Sequence, residues 1–233
     1  MSHSFSPGYF SQKFEDLGLT DHAYDLYPLP HIEAFDQIEN VGGLNVTIPY
    51  KEKVIPYLSS LSPEAEEIGA VNTILFRGDE RIGYNTDVYG FEYSLVPLWE
   101  DQEKPKSALV LGTGGAAKAV WFVLDKLGIS YLKVSRSKGD LHYDDIDDQV
   151  LDEHRLIINT TPLGMNPHID TCPDIPYDAM SLDHILFDLI YNPAKTLFLK
   201  HGEERRATIK NGLEMLELQA EKSWSIWTSE NEK

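Results

Sequence analysis

Short apolar runs alternate with amphipathic helical patterns along most of the chain, which predicts an α/β fold. Strand patterns of the first half span 23–27, 42–48, 70–76 and 81–84. Helix patterns of this half begin after Ser6, span 31–38, 49–58 and 88–98, and begin again after Ser62. Gly78 and Asp79 separate the last two strand patterns, so a hairpin is predicted there. Asp87 directly precedes the helix pattern at 88–98, where a carboxylate is a common cap.

The second half repeats this alternation after a polar, proline-flanked stretch at 97–106 that is typical of a linker. Its strand patterns span 107–111, 131–134, 155–159, 184–189 and 207–209, and its helix patterns span 119–127 and 213–227. No internal repeat or low-complexity tract interrupts the alternation. The pattern therefore indicates a second α/β layer.

Composition excludes several classes of function. The chain has 38 acidic and 20 basic residues and a net charge of −18, whereas nucleic-acid binding needs clustered lysine and arginine. Cys172 is the single cysteine, which excludes an internal disulfide framework and favours a cytoplasmic location. No apolar run approaches the roughly 20 residues that cross a bilayer, and no secretory signal is visible. The eight histidines form no metal-ligand pattern, so no metal is expected.

The stretch from Gly43 to Lys51 carries the first candidate chemistry. Its apolar strand pattern stops at Pro49, so Asn45, Thr47 and Lys51 are expected at the carboxyl end of a strand. Ligands bind at that edge in open α/β sheets. Taken alone, however, a lysine in the position of Lys51 is more often a solvated residue at the start of a helix than a catalyst.

Two serines precede the first helix pattern. Ser6 is a suitable N-cap because Pro7 follows it at the first helical position. The alternative is that the hydroxyls of Ser4 and Ser6, together with the helix N-terminus, bind a carboxylate. The residues themselves leave both readings open.

A glycine-rich turn lies between the strand pattern at 107–111 and the following helix. Its sequence matches G-x-G-x-x-A, in which glycines permit a tight turn and a close approach to a pyrophosphate at the helix N-terminus. The residues of the turn are Gly112, Thr113, Gly114, Gly115 and Ala116. This strand–turn–helix setting predicts a dinucleotide site.

The turn after the strand pattern at 131–134 indicates which dinucleotide is bound. An NAD site usually has an acidic residue here for the ribose 2′-hydroxyl, but this turn contains Ser135, Arg136, Ser137 and Lys138. Hydroxyls and cations suit a 2′-phosphate, so NADP is predicted. The alternative is a solvated basic turn without a ligand.

These motifs, taken with five others, resemble those of the shikimate dehydrogenase family in their order and spacing. The additional motifs are 69–73, Asn85-Thr86-Asp87, Ile158-Asn159-Thr160-Thr161, 188–193 and 211–219. The resemblance extends from Ser2 to about Trp227, nearly the whole chain.

The resemblance implies NADPH-dependent, reversible reduction of 3-dehydroshikimate to shikimate in the biosynthesis of aromatic amino acids. It also implies two α/β domains with a cleft between them. The N-terminal substrate domain comprises residues 1–96 completed by 213–233, and the Rossmann-type NADP-binding domain comprises 97–212. Members of the family are monomers or homodimers, so the resemblance implies one of these two states and does not decide between them.

The same resemblance assigns roles to individual residues. Lys51 and Asp87 form the implied catalytic pair. The implied substrate-binding residues are Ser4, Ser6, Asn45, Thr47, Asn72, Tyr191 and Gln219. The implied cofactor-binding residues are Gly112, Thr113, Gly114, Gly115, Ala116, Ser135, Arg136, Asn159, Thr160, Thr161, Leu189, Gly212 and Met215.

The sequence departs from the family pattern at three places. The opening strand of the family does not precede Ser4 in this sequence, so it is either outside the recorded residues or missing from the sheet. Phe5 stands between the two serines where many members have lysine. Ser135-Arg136-Ser137 replaces the Asn-Arg-Thr of NADP-using members, and the arginine is kept.

Three rival functions remain at this stage. A relative that oxidises quinate or accepts NAD differs mainly in pocket shape. A non-catalytic nucleotide-binding protein could keep the same scaffold, although Lys51 and Asp87 speak against it. Methylene-tetrahydrofolate dehydrogenases share the two-domain plan but fit the Ser-x-Ser and Asn-Thr-Asp motifs poorly.

Overall fold

The computed structural model describes residues 4–100 and 103–229, and the chain divides into two compact units between Val41 and Gly42. The first unit contains helix α1 (Phe5–Asp16) and a 3₁₀ helix (Ile32–Gln37). Phe10 of α1 is fully buried, and its ring stacks on that of Tyr24 with 4.6 Å between centroids. Aromatic packing of this kind supplies much of the apolar burial available to so short a segment.

Two expectations for the first unit were wrong. Ser4 is the last extended residue before α1, so Ser6 lies inside the first helical turn and is not the N-cap. Pro7 is tolerated there because the first N–H groups of a helix have no partner within it. Residues 23–27 belong to no described strand, because an alternating pattern predicts a half-buried surface but does not supply a hydrogen-bonding partner.

The second unit contains a four-stranded sheet and a five-stranded sheet. The strands of the first are β1 (Gly43–Asn45), β2 (Ser60–Leu61), β3 (Thr73–Arg77) and β4 (Glu80–Tyr84). Their order is β1-β3-β4-β2, and only β2 and β4 are parallel. The predicted hairpin is confirmed, because Arg77 pairs with Glu80 across a turn in which Gly78 has a φ of 57°.

The helix predicted at 49–58 does not form. Turns occupy this stretch and end in a 3₁₀ helix, Ile55–Tyr57. The Val54 N–H donates to the Tyr50 carbonyl at 3.0 Å, which closes a single α-helical turn. Pro56 then removes the N–H that a longer helix would need. The strand predicted at 42–48 is correspondingly limited to β1.

The five-stranded sheet is parallel throughout. Its strands are β5 (Ser107–Leu111), β6 (Ser130–Val134), β7 (Leu156–Asn159), β8 (Ile185–Asp188) and β9 (Thr208–Lys210), in the order β6-β5-β7-β8-β9. Every strand lies within one residue of the limits that the apolar runs predict. The predicted α/β class is thus confirmed. The strand order reverses between β5 and β7, and the crevice at such a reversal is where α/β proteins bind ligands.

The helices of the second unit fit the predictions less closely. They are α2 (Pro63–Ile68), α3 (Asp87–Leu95), α4 (Gly115–Leu127), α5 (Asp148–Glu153), α6 (Leu197–Glu204) and α7 (Leu213–Thr228). Helix α4 begins four residues before the predicted start at Ala119, since Gly114 is the last extended residue. The short helices α5 and α6 were not predicted.

Helix α3 packs closely on α7 and on the parallel sheet. A side chain at Gly90 would overlap the backbone carbonyl of Met215, so glycine permits the close approach of α3 and α7. The rings of Phe91 on α3 and Phe187 on β8 meet edge to face, with centroids 5.1 Å apart. One apolar core therefore includes residues of α3, α4, β5, β7 and β8. The predicted domain limits at 96/97 and 212/213 stay a prediction.

Candidate active site

Lys51 and Asp87 form an ion pair in the second unit, with 2.6 Å between Nζ and Oδ2. Their side chains are only 19% and 15% exposed. Lys51 lies in the turn after β1. Its backbone is held in place because the Lys51 carbonyl accepts the Val71 N–H at 2.8 Å. The two residues of the predicted catalytic pair, 36 positions apart in the sequence, are therefore brought together.

The Asp87 side chain does not cap α3, contrary to the expectation from the sequence. Asp87 is the first residue of that helix, and Thr86 occupies the N-cap position. Asp87 Oδ1 accepts a hydrogen bond from Asn72 Nδ2 at 2.9 Å, while Asp87 Oδ2 contacts Lys51. Asn72 is 2% exposed, and its amide oxygen accepts the Thr86 N–H at 2.7 Å. The amide nitrogen of Asn72 is consequently turned toward the carboxylate.

Two more of the predicted substrate-binding residues lie around this pair. Asn45, at the end of β1, donates from Nδ2 to the hydroxyls of Thr73 and Ser223 at 3.1 and 3.0 Å. Gln219 of α7 is 9% exposed, and its Oε1 accepts from Thr86 Oγ1 at 3.4 Å. Side chains from β1, α3 and α7 thus meet near the ion pair of Lys51 and Asp87.

The substrate contacts predicted for four further residues, like those of Asn45, Asn72 and Gln219, stay a prediction. Thr47 is exposed in the turn after β1, and Tyr191 is half-buried after β8. Ser4 and Ser6 belong to the first unit, where Ser6 hydrogen-bonds Tyr24. Burial raises the pKa of Tyr24, and the bond to Ser6 opposes that rise.

Three buried hydroxyls at this site, those of Thr73, Thr86 and Ser223, had no role predicted from the sequence. Thr73 and Thr86 lie inside motifs that were recognised, directly after Asn72 and directly before Asp87. Ser223 had only a weak signal, its position four residues after Gln219 on one helix. All three hydroxyls lie within hydrogen-bond distance of one another.

The glycine-rich turn joins β5 to α4 as predicted. Gly112 has a φ of 104°, which favours glycine, and a Cβ there would lie 2.7 Å from Thr160 Oγ1. In contrast, a Cβ at Gly114 or Gly115 would meet no atom within 4 Å. The backbone at the start of α4 is therefore open to a close approach, and the helix adds the positive end of its dipole.

The loop after β7 lies across the strand reversal from this turn. Thr160 donates from Oγ1 to the Leu111 carbonyl at 2.8 Å, which ties the loop to the end of β5. Thr161 donates from Oγ1 to Asn159 Oδ1 at 2.7 Å. Asn159 is fully buried, so its side chain holds the loop together from within. Contact of these three residues with a cofactor stays a prediction.

Leu189, Gly212 and Met215 occupy the adjoining ends of β8 and α7. A side chain at Gly212 would overlap the backbone of Leu189, so these two segments approach as closely as glycine permits. Met215 is 9% exposed and joins the apolar core. Their predicted role in cofactor binding is untested.

A buried carboxylate, Asp188, organises this edge of the sheet. It accepts hydrogen bonds from Thr196 Oγ1 at 2.6 Å, from the Ile190 N–H at 3.0 Å and from Asn159 Nδ2 at 3.1 Å. Burial raises the pKa of Asp188 to about 6, although all three hydrogen bonds act in the opposite direction. Asp188 thus ties the loop after β7 to the loop after β8.

We expect Asp188→Asn to remove a pH dependence of stability. The ordinary pKa of this group is 3.8 and its folded value is about 6, so between these values the folded protein binds more protons than the unfolded chain. Stability then falls as pH rises through this window, by about 3 kcal/mol in total. Urea unfolding of both proteins from about pH 4 to pH 8 measures the difference.

The exposed Asp170→Asn variant is the control for that experiment. Its free energy of unfolding should follow that of the unmodified protein across the same pH range. Parallel curves for the unmodified protein and Asp188→Asn would contradict the raised pKa.

The basic turn after β6 is compact. Ser135 Oγ accepts the N–H groups of Ser137 and Lys138, both at 3.3 Å. The Ser135 N–H donates to the Leu141 carbonyl at 3.0 Å, which closes the loop. Arg136 is exposed at its tip. The turn follows the strand beside β5, which is the position where dinucleotide-binding sheets recognise the adenosine ribose.

An ion pair connects the two parts of the site. Glu52, next to Lys51, accepts from Lys118 of α4 with 2.7 Å between Oε1 and Nζ. Lys118 lies one turn into the helix that follows the glycine-rich turn. Within the second unit, the segment that holds Lys51 is thus in direct contact with α4.

Taken together, the parallel sheet and its glycine-rich turn define a dinucleotide-binding protein, and the partly buried lysine–carboxylate pair nearby is the candidate for acid–base chemistry. Among the residues that the structure describes, no cluster of potential metal ligands occurs. None of the helices in those residues is long and apolar enough to cross a membrane.

Comparison with known proteins identifies the family. The family described as "Shikimate dehydrogenase substrate binding domain" matches residues 1–74. A relative from Clostridium beijerinckii, named shikimate dehydrogenase (NADP(+)), is 39% identical over 244 residues that cover 97% of this chain and 88% of the relative. The chain belongs to the shikimate dehydrogenase family.

Solved structures agree with this assignment. The Thermus thermophilus enzyme, solved with NADP(H) and shikimate, is 30% identical and has a TM-score of 0.82, with coverage of 98% of this chain and 90% of that one. The Listeria monocytogenes enzyme, solved with shikimate and NAD, is 28% identical and has a TM-score of 0.87, with coverage of 99% and 89%.

Proposed function

We propose that this protein catalyses the reversible, NADPH-dependent reduction of 3-dehydroshikimate to shikimate. The observation that carries the proposal is the ion pair between Lys51 and Asp87, oriented by Asn72, in a chain of this family. A positioned proton donor beside a dinucleotide site is what reduction of a carbonyl requires. The reaction contributes to the biosynthesis of aromatic amino acids.

In this proposal Lys51 moves the proton of the reaction. Its ammonium group donates a proton as negative charge develops on the carbonyl oxygen, and the neutral amine accepts a proton when the alcohol is oxidised. Asp87 keeps Nζ in place and stabilises the ammonium form between these steps. Asn72 holds the other carboxylate oxygen, so Asp87 does not rotate away when Lys51 changes charge.

The residues present suit NADP. The open backbone at Gly114 and Gly115 would accept the pyrophosphate at the start of α4, and Gly112 gives the turn the φ that it needs. Ser135 and Arg136 would contact the 2′-phosphate. When bound, NADPH supplies a hydride for the carbonyl carbon.

The substrate contacts follow from the same proposal. As the family resemblance implies, Ser4, Ser6 and Tyr191 would hold the carboxylate, and Asn45, Thr47, Asn72, Asp87 and Gln219 would bind the hydroxyls and the reacting oxygen. Within the second unit, Asn45, Asn72 and Gln219 would supply oxygen and nitrogen groups to the ring from positions near Lys51 and Asp87. A single exposed lysine or serine would not select shikimate among similar alcohols, because a selective contact needs a side chain that its neighbours orient.

The assay that tests the function follows NADPH absorbance with shikimate or quinate as the alcohol and NADP or NAD as the acceptor. Shikimate with NADP should give the highest kcat/KM. Faster oxidation of quinate would favour a quinate dehydrogenase. Binding of NADPH without oxidation of either alcohol would contradict catalysis and favour a nucleotide-binding role.

We also propose a cytoplasmic location, which the single cysteine supports because no internal disulfide is possible. The protein is expected to be a monomer or a homodimer. Light scattering of the purified chain distinguishes these two states directly.

A further inference from the structure

We infer that Ser223 and Thr73 are positioning residues for the reaction, through which helix α7 sets the geometry of the Asn72–Asp87–Lys51 chain. The inference rests on the proposed function. It assigns a role to two buried hydroxyls that neither contact Lys51 directly nor belong to the predicted substrate site.

Three hydroxyl groups form a closed triangle next to the catalytic pair. Thr73 Oγ1 lies 2.8 Å from Ser223 Oγ, Thr86 Oγ1 lies 3.2 Å from Ser223 Oγ, and the two threonine oxygens are 3.2 Å apart. Thr73 and Ser223 are fully buried, and Thr86 is 3% exposed. Buried hydroxyls this close together must share their protons in a definite pattern, because each has few alternative partners in the interior.

The triangle is connected to Asp87 through the side chain of Asn72. Asn72 Oδ1 accepts the Thr86 N–H at 2.7 Å. Thr73 Oγ1 at 3.1 Å and Thr86 Oγ1 at 3.2 Å also lie within hydrogen-bond distance of Oδ1, and each has a single proton that it donates either to this oxygen or to another neighbour. These donors oppose a flip of the amide, which would place its nitrogen against them. Asn72 Nδ2 therefore continues to face Asp87, and Asp87 continues to face Lys51.

Ser223 supplies the α7 end of this connection. Its hydroxyl donates to the Gln219 carbonyl at 2.9 Å and accepts from Asn45 Nδ2 at 3.0 Å. Loss of this hydroxyl would leave Asn45 Nδ2 and Thr73 Oγ1 each without one contact. Ser223 thus links β1 and β3 to the helix that carries Gln219.

Helix α7 is itself held in place on both sides of Ser223. Trp227 donates from Nε1 to the Ile74 carbonyl at 3.0 Å, and the absence of a side chain at Gly43 makes room for its ring. At the other end, Gly90 allows α3 to touch the backbone of Met215. Ser223 lies between these two anchors, so its position relative to Thr73 is well determined.

The test compares Ser223→Ala with Ser94→Ala, a fully buried serine of α3 whose hydroxyl donates to the Phe91 carbonyl of the same helix. Both variants lose a hydrogen bond that a buried serine hydroxyl donates to a carbonyl of its own helix, and Ser223→Ala also loses the contacts with Asn45, Thr73 and Thr86. Ser223→Ala should lower kcat with shikimate by about 5- to 30-fold and change the KM for NADP less than about twofold. Ser94→Ala should also lose stability and should keep its kcat.

Thr73 allows a second comparison that separates the hydroxyl from the shape of the side chain. Thr73→Val keeps the shape and should lower kcat about as much as Ser223→Ala does. Thr73→Ser keeps the hydroxyl and should remain within about threefold of the unmodified enzyme. Equal kcat for Thr73→Val and Thr73→Ser would overturn the inference.

A double-mutant cycle tests whether the effect passes through Lys51. In a Lys51→Ala background, Ser223→Ala should cause no further loss of kcat. An undiminished further loss would mean that Ser223 acts by another route, which would overturn the inference.

An NMR measurement tests the positioning independently of turnover. The Asn72 side-chain amide signals should shift in Ser223→Ala and stay in place in Ser94→Ala. Unchanged signals would overturn the inference. If the unmodified protein failed to oxidise shikimate, the proposed function would fail, whereas this NMR comparison would still decide the positioning.

Discussion

Lys51→Ala is expected to lower the turnover of shikimate by at least about 10²-fold, with a much smaller change in shikimate binding. The variant removes the group that donates and accepts the proton at the reacting oxygen, and such assistance is typically worth about 10²–10⁴ in rate. Binding should suffer less because the other predicted contacts remain. Steady-state kinetics in the oxidation direction, with direct titration of shikimate, separates the two effects.

Lys53→Ala is the matched control for this experiment. Lys53 is an exposed lysine of the same turn. Its replacement should leave kcat and KM within about twofold, since an exposed surface substitution alters little. Near-normal turnover of Lys51→Ala would contradict the assignment of Lys51, even if Lys53→Ala behaved as expected.

Arg136→Ala is expected to raise the KM for NADP by about 10-fold or more while the KM for NAD changes little. A hydrogen bond to a charged group contributes about 1.5–3 kcal/mol, and only NADP has the 2′-phosphate that Arg136 would contact. Initial rates measured over a range of each cofactor, at saturating shikimate, give the two KM values.

Arg77→Ala controls for the general loss of one positive charge from a strongly acidic chain. Arg77 is an exposed residue at the end of β3, in the other sheet. Its replacement should affect NADP and NAD equally and weakly. Equal effects of Arg136→Ala on both cofactors would contradict a 2′-phosphate contact.

The parallel sheet was the most predictable part of the fold. Its central strands β5, β7 and β8 are short apolar runs that are buried on both faces, so they stand out from the polar segments around them. The glycine-rich turn was equally predictable, because a G-x-G-x-x-A motif between a strand and a helix is typical of a dinucleotide site. Helix α4 nevertheless begins at Gly115 and not at Ala119. The earlier start was not predicted because glycine has a low helix propensity.

Other elements depended on backbone hydrogen bonds that the pattern of apolar and polar residues does not reveal. Residues 23–27 alternate like a strand, but a strand also needs a neighbour for its backbone groups. The stretch at 49–58 looked helical, but Pro56 lacks the N–H required for continuation. In both places a local pattern was outweighed by hydrogen-bonding requirements.

The identity of the catalytic pair could be proposed from motifs, but the function of Asp87 could not be read from its position alone. Its place before a helix predicts a cap, whereas the structure turns its carboxylate to Lys51 and Asn72. An ion pair with a buried amide partner satisfies the carboxylate better than exposure at a helix end would.

The residues alone were sufficient to indicate an α/β chain, a dinucleotide turn, a preference for NADP and a family resemblance, since each depends on short motifs with strict local requirements. The tertiary structure decided which distant groups touch. It placed Asn72 against Asp87, and it placed Ser223 against Thr73, 150 residues apart. Such contacts depend on how α7 packs across β1, β3 and α3, and packing between distant segments leaves no periodic signal in a single sequence.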